Sequence, residues 1–134
     1  MGIPFPSHEW VKALESKLNT SQSYADIARK WEGDIMFDIE FPDKSRRLLY
    51  LDLWHGKCRD AYEVTGERPE AAFVLAAPLA NLIRILKGEL DPMQAMATGK
   101  LKVRGNIIVM MKNVPTVLEF VKTAQQVESD FPAA

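Results

Sequence analysis

Residue types that do chemistry are thinly spread in this chain of 134 residues. It holds two histidines, His8 and His55, and one cysteine, Cys58. His55 and Cys58 lie three positions apart, close enough for a thiol and its base, yet no third group is placed to orient that base. A single cysteine excludes an internal disulfide and any multi-cysteine zinc or iron–sulfur centre, and one His with one Cys is too small a metal-ligand set. Asp34, Asp38 and Glu40 fall at even spacings. On a strand this puts three carboxylates on one side, where they could bind metal, do acid–base work or form a solvated face. No phosphate-cradling glycine loop is present. The chain reads as a non-enzyme, with no metal and no cofactor expected.

Two other groupings stand out. Lys100, Lys102, Arg104 and Lys112 follow one another with no acid between them, after Arg84 and Lys87. On a strand the first three point to one side, which suits a phosphate, a carboxylate or an anionic membrane surface; the wet side of an edge strand gives the same pattern. Met93, Met96, Met110 and Met111 cluster beside Leu101, Ile107 and Ile108. Methionine is flexible and polarisable, so it fills irregular cores and also lines sites that accept varied apolar ligands.

The elements that must position these groups can be read from periodicity. Trp10, Leu14 and Leu18 recur every fourth residue, with Val11 beside them, so a helix runs from about His8 to Leu18 behind a Ser7 cap. A second helical piece, capped by Ser21 or Ser23, carries Tyr24, Ile27, Ala28 and Trp31. The period then changes to two: Ile35, Phe37, Ile39 and Phe41 alternate with Asp34, Met36, Asp38 and Glu40, which predicts a strand with one buried and one wet face. Further strands are expected over Leu48 to Trp54, Lys57 to Val64 and Ala71 to Ala77, joined by turns at Pro42–Ser45, His55-Gly56 and Gly66–Pro69 as an antiparallel meander. A helix follows from Leu79 to Leu86, stopped by Gly88, and a short one starts at Asp91-Pro92 and ends at Gly99. Lys100 to Arg104 is the last strand, and Ile107 to Val121 closes the chain in helix. The fold class is α+β.

Composition bounds the rest. The length fits one domain over residues 1–134. The 47% of hydrophobic residues argue for a globular core, and 17 basic against 18 acidic residues give no reason to expect nucleic acid as a partner. No run approaches the ~20 apolar residues of a membrane span. Met1 to Pro6 lacks a signal-peptide pattern and Ala133-Ala134 is no targeting address, so a cytoplasmic location is expected.

Taken in order, Leu90-Asp91-Pro92-Met93-Gln94-Ala95-Met96, then Gly99-Lys100-Leu101-Lys102-Val103-Arg104-Gly105-Asn106, then Met110-Met111-Lys112, resemble the sterol carrier protein type 2 domain. Upstream, Leu51-Asp52-Leu53 with His55-Gly56 is similar to its second strand and glycine turn, and Ala71 to Gly88 stands where its last meander strand and next helix lie. The likeness runs from about residue 20 to 127. It departs from the family pattern in Ala71-Ala72, where an acidic residue is common, in Ala77-Pro78, and in lacking a peroxisomal tripeptide.

The resemblance implies a five-stranded, mostly antiparallel sheet covered by helices around an apolar tunnel. It implies a free-standing, prokaryotic-type carrier that binds or transfers a fatty acid, a fatty acyl-CoA or a sterol- or isoprenoid-like lipid without catalysis. The alternative is an accessory module that holds a lipid or quinone intermediate for a partner enzyme. On this view the tunnel lining comprises Leu79, Ile83, Leu86, Met96, Leu101, Val103, Ile107, Met110, Leu118 and Phe120, with Lys100, Lys102 and Arg104 at an anionic headgroup or a membrane surface. Transient membrane contact, and a homodimer through Trp54 or Tyr50, are the other expected associations.

Overall fold

The computed structural model describes residues 2–132; the readings made of Met1 and of Ala133-Ala134 lie outside the described residues. The chain order is β1 (Ile3–Pro4), α1 (His8–Thr20), α2 (Gln22–Ile27), β2 (Ile35–Glu40), β3 (Arg46–Trp54), β4 (Lys57–Val64), β5 (Phe73–Pro78), α3 (Leu79–Leu86), α4 (Pro92–Ala97), β6 (Lys102–Arg104), α5 (Ile107–Lys112), α6 (Val114–Gln125) and β7 (Ser129–Asp130).

The helix starts follow from their caps. The Ser7 hydroxyl accepts the Trp10 N–H at 3.0 Å, Ser21 accepts that of Tyr24 at 3.1 Å, and the Asp91 carboxylate accepts that of Gln94 at 2.8 Å. Each satisfies one of the orphan donors of a first helical turn. In α1 the four-residue spacing buries Trp10, Val11, Leu14 and Leu18.

Five strands form the main sheet in the order β4-β3-β2-β5-β6. β2, β3 and β4 are a true antiparallel meander, with Phe37 opposite Leu49 and Leu51 opposite Ala61. The hairpin between β3 and β4 turns at His55 and Gly56, both with positive φ, 51° and 80°. β6 pairs antiparallel with β5, Val103 opposite Leu75. α1 packs on β3 and β4, α3 on β2 and β5, and α6 against α1, α2 and α3. Ile35, Ile39, Leu49, Leu51, Leu53, Phe73 and Leu75 are buried beneath them.

One sequence expectation fails here. The meander does not continue into β5, which instead runs parallel to β2, with Phe37 opposite Leu75. Residues 65–72 therefore make a crossover, not a hairpin turn. This segment returns along the side of the sheet away from the helices, where Arg68 lies 3.8 Å from Asp38 and the Ala72 N–H donates to Asp34 at 2.6 Å. The crossing corrects a second expectation: the alternate side of β2 is not wet throughout, because Met36 and Asp38 are only 1% and 5% exposed.

A feature with no sequence signal joins the two ends. β1 and β7 pair in parallel, Ile3 opposite Ser129 and Pro4 opposite Asp130. The Trp10 indole N–H donates to the Ser129 hydroxyl at 2.7 Å, and Phe5 packs edge-on against both Trp10 and Phe131.

Candidate functional site

Between sheet and helices lies an apolar cavity. Its floor is Ile35 and Phe37 of β2, Leu49 and Leu53 of β3, and Leu75 of β5. One wall comes from Leu82, Ile85 and Leu86 of α3, Pro92 and Met96 of α4, and Leu101. The roof is Met110 of α5 with Thr116, Val117, Phe120, Val121 and Ala124 of α6. Leu14, Tyr24 and Trp31 close one side, and Phe5 and Trp10 of the terminal clasp reach the same space. The helical contributions follow from spacing: Val117, Phe120, Val121 and Ala124 recur at three and four residues, as one helical stripe must.

Three of the lining side chains that carry a polar end turn it to a protein partner. The Trp31 indole N–H donates to the Gly33 carbonyl at 2.8 Å, Trp10 to Ser129, and the Thr116 hydroxyl to the Ile27 carbonyl at 3.3 Å. Burial raises the Tyr24 pKa, so its hydroxyl stays neutral. Among the described residues no buried side-chain nitrogen or oxygen lacks a hydrogen-bond partner. The surface of the cavity is carbon, so it offers hydrocarbon contact.

Of the ten residues expected to line a tunnel, the structure brings five to this wall: Leu86, Met96, Leu101, Met110 and Phe120. The other five lie elsewhere. Leu79 and Ile83 are buried on other sides of α3, Leu79 beside a separate surface depression with Glu40 and Phe41. Val103 pairs with Leu75 at the sheet edge. Ile107 and Leu118 point outward, 47% and 41% exposed. The floor residues Phe37, Leu49 and Leu53 carry a clear alternation signal, which marks a buried face and does not separate a cavity wall from packed core.

The candidate catalytic groups are dispersed. His55 Nε2 lies 2.6 Å from Glu32 and its ring stacks on Trp54, while the Cys58 thiol donates to the Asp60 carbonyl at 3.3 Å. Burial pushes the Cys58 pKa up to about 12, which disfavours the nucleophilic thiolate. Asp34 accepts from the Tyr50 hydroxyl at 2.7 Å, Asp38 from Arg46 at 2.7 Å, and Glu40 lies 3.6 Å from Arg46. Among the described residues no group of three or more His, Cys, Asp or Glu side chains could hold a metal ion. Lys100, Lys102 and Arg104 are exposed and stand outside the cavity wall. No helix is long and apolar enough to cross a membrane among the described residues.

A helix-covered mixed sheet around an apolar cavity defines a small α+β domain with room for an apolar ligand. Residues 11–117 match the model of the SCP-2 sterol transfer family, and the chain belongs to that family. A crystal structure of sterol carrier protein 2 is similar with a TM-score of 0.84 at 36% identity, covering 90% of this chain and 97% of that one. The solution structure of a conserved hypothetical protein from Thermus thermophilus is similar with a TM-score of 0.85 at 35% identity, covering 98% and 94%. Stomatin-like protein 1 of Mus musculus is 32% identical over 76 residues, which are 57% of this chain and 18% of that protein. The chain thus spans less than a fifth of that curated relative.

Proposed function

We propose that this protein binds and transfers a long-chain apolar ligand, such as a fatty acid, a fatty acyl-CoA or a sterol- or isoprenoid-like lipid, in the cavity beneath α5 and α6. The observation that carries the reading is a space walled by carbon, with the polar ends of Trp10, Trp31 and Thr116 turned to protein partners. Each CH₂ buried there contributes ~0.8 kcal/mol, so a dozen suffice for tight binding without a directional group. Selectivity between chains is then shallow, at ~1–3 kcal/mol per methylene.

The cavity leaves about 70 Å³ for the centre of a water-sized sphere. One water takes ~10–15 Å³ on that measure, so the space holds several waters and less than a full acyl chain. Binding on this proposal parts the walls, and the flexible side chains of Met96 and Met110 are the ones suited to move.

The test is titration of delipidated protein with a fluorescent fatty acid. The expected result is saturable binding that Met110→Glu weakens at least tenfold and Lys102→Ala changes little. Absence of binding by the wild type overturns the proposal; equal effects of the two substitutions overturn the placement of the ligand against Met110. A second reading, a module that holds a lipid or quinone intermediate for an enzyme, uses the same cavity. The structure described as UbiJ-SCP2 Ubiquinone synthesis protein shares the fold, with a TM-score of 0.57 at 17% identity. An enzyme that co-purifies stoichiometrically with the lipid-loaded protein would favour that reading.

A further inference from the structure

Six large apolar side chains among the described residues are exposed, and four of them, Ile107, Ile108, Met111 and Leu118, fall within one short stretch of α5 and α6. α5 is two-sided. Val109 and Met110 turn inward, Met110 onto the cavity. Ile107, Ile108 and Met111 occupy the opposite side, 47%, 63% and 57% exposed. Ile107 and Ile108 stand four and three residues before Met111, each one helical turn from it, so these three side chains form one apolar knob.

The stretch of chain that carries that knob has charge of one sign. From Pro92 to Leu118 the sequence has no Asp or Glu, while Lys100, Lys102, Arg104 and Lys112 each add a positive charge. All four are exposed. Among the described residues none of them forms an ion pair, whereas Lys12, Arg46, Arg47, Arg59 and Arg68 do. Arg104 leads into α5 through Gly105, which has φ of 126° and packs so closely on the Ala72 carbonyl that a side chain there would collide with it. Lys112 ends the helix.

We infer that the outer face of α5 docks this protein on a lipid bilayer bearing anionic headgroups. Such a surface complements both halves of the patch: its hydrocarbon receives the three apolar side chains and its headgroups receive the cations. The inference rests on the cavity being a lipid site, because Met110 on the inner side of the same helix borders that cavity. A docked α5 sets one helix thickness between the bilayer and the ligand.

The experiment is flotation of the full chain with vesicles of phosphatidylcholine alone or mixed equally with phosphatidylserine, alongside fatty-acid binding in vesicle-free solution. Wild-type protein partitions onto the mixed vesicles and far less onto the neutral ones, and added salt weakens the association. Arg104→Ala with Lys112→Ala lowers partitioning about fivefold for each charge removed. Ile108→Ser with Met111→Ser lowers it about tenfold or more while solution binding of the fatty acid is unchanged.

Equal partitioning onto both vesicles, or partitioning that neither pair alters, overturns the inference. So does joint loss of docking and solution binding in the Ile108/Met111 pair, which would assign those side chains to the cavity. A concentration-dependent dimer abolished by Ile108→Ser would show instead that a second copy covers the face. Docking without any fatty-acid binding would overturn the lipid reading of the cavity and leave the surface standing.

Discussion

The rings of Phe37 on β2 and Phe120 on α6 lie 15° from parallel with their centroids 6.1 Å apart. Sheet and closing helix therefore meet through two aromatic faces that both border the cavity. Tyr24 approaches Phe120 as well, at 6.5 Å between centroids, which ties α2 to the same contact.

Replacing Phe120 by Ala should enlarge the cavity at the cost of this contact. Phe→Ala in a packed core costs ~3–5 kcal/mol, and a ring that already borders empty space should cost somewhat less, about 2–4 kcal/mol. The urea midpoint should fall accordingly, while binding of a bulky sterol-type probe relative to a straight-chain fatty acid should rise. Unchanged relative binding would show that Phe120 does not limit ligand width.

The Cys58 thiol gives the protein an alkaline weakness. Its pKa is pushed up to about 12 by burial, whereas an unfolded thiol ionises near ~8.5. A raised folded-state pKa means the contribution is complete below the unfolded value and drains away as pH climbs above it. Unfolding free energy should therefore drop by ~2 kcal/mol between pH 8 and pH 10. Denaturation series over that interval in wild type and Cys58→Ala decide the matter, since the substitution should flatten the slope. Tyr24, whose pKa is also raised by burial, adds to the loss only at higher pH.

Gly56 should tolerate no side chain. Its φ is 80°, and a Cβ there would fall 2.6 Å from the Ala25 carbonyl oxygen. Gly56→Ala should destabilise by more than ~1 kcal/mol. Gly66, in the crossover, has open space around it, and Gly66→Ala should stay within ~0.5 kcal/mol of wild type. Equal thermal shifts for the two would contradict the hairpin geometry.

Much of the frame was legible because short-range signals agree with long-range packing. Ser7, Ser21 and Asp91 cap the helices they were expected to cap, and the alternation in β2 and β3 buries the expected side. The crossover was not legible, since Gly66–Pro69 supplies the turn chemistry of a hairpin and of a longer return alike. Two-residue strands such as β1 and β7 carry no period to read. In the roof of the cavity, Val117 and Leu118 are adjacent and both apolar, and a helix separates their directions by ~100°. Only the packing of α6 on α1, α2 and α3 makes Val117 the inward one.

The parallel pairing of β1 with β7 has an architectural consequence. Gly2 precedes Ile3 and Phe131 follows Asp130, and the two strands between them lie side by side, so the backbone enters and leaves this unit at a single corner. A short linker between those ends, with new termini opened at the His55-Gly56 hairpin or in the 65–72 crossing, should give a circular permutant that folds. By the same geometry the whole unit could be spliced into a surface loop of another protein without forcing that loop apart.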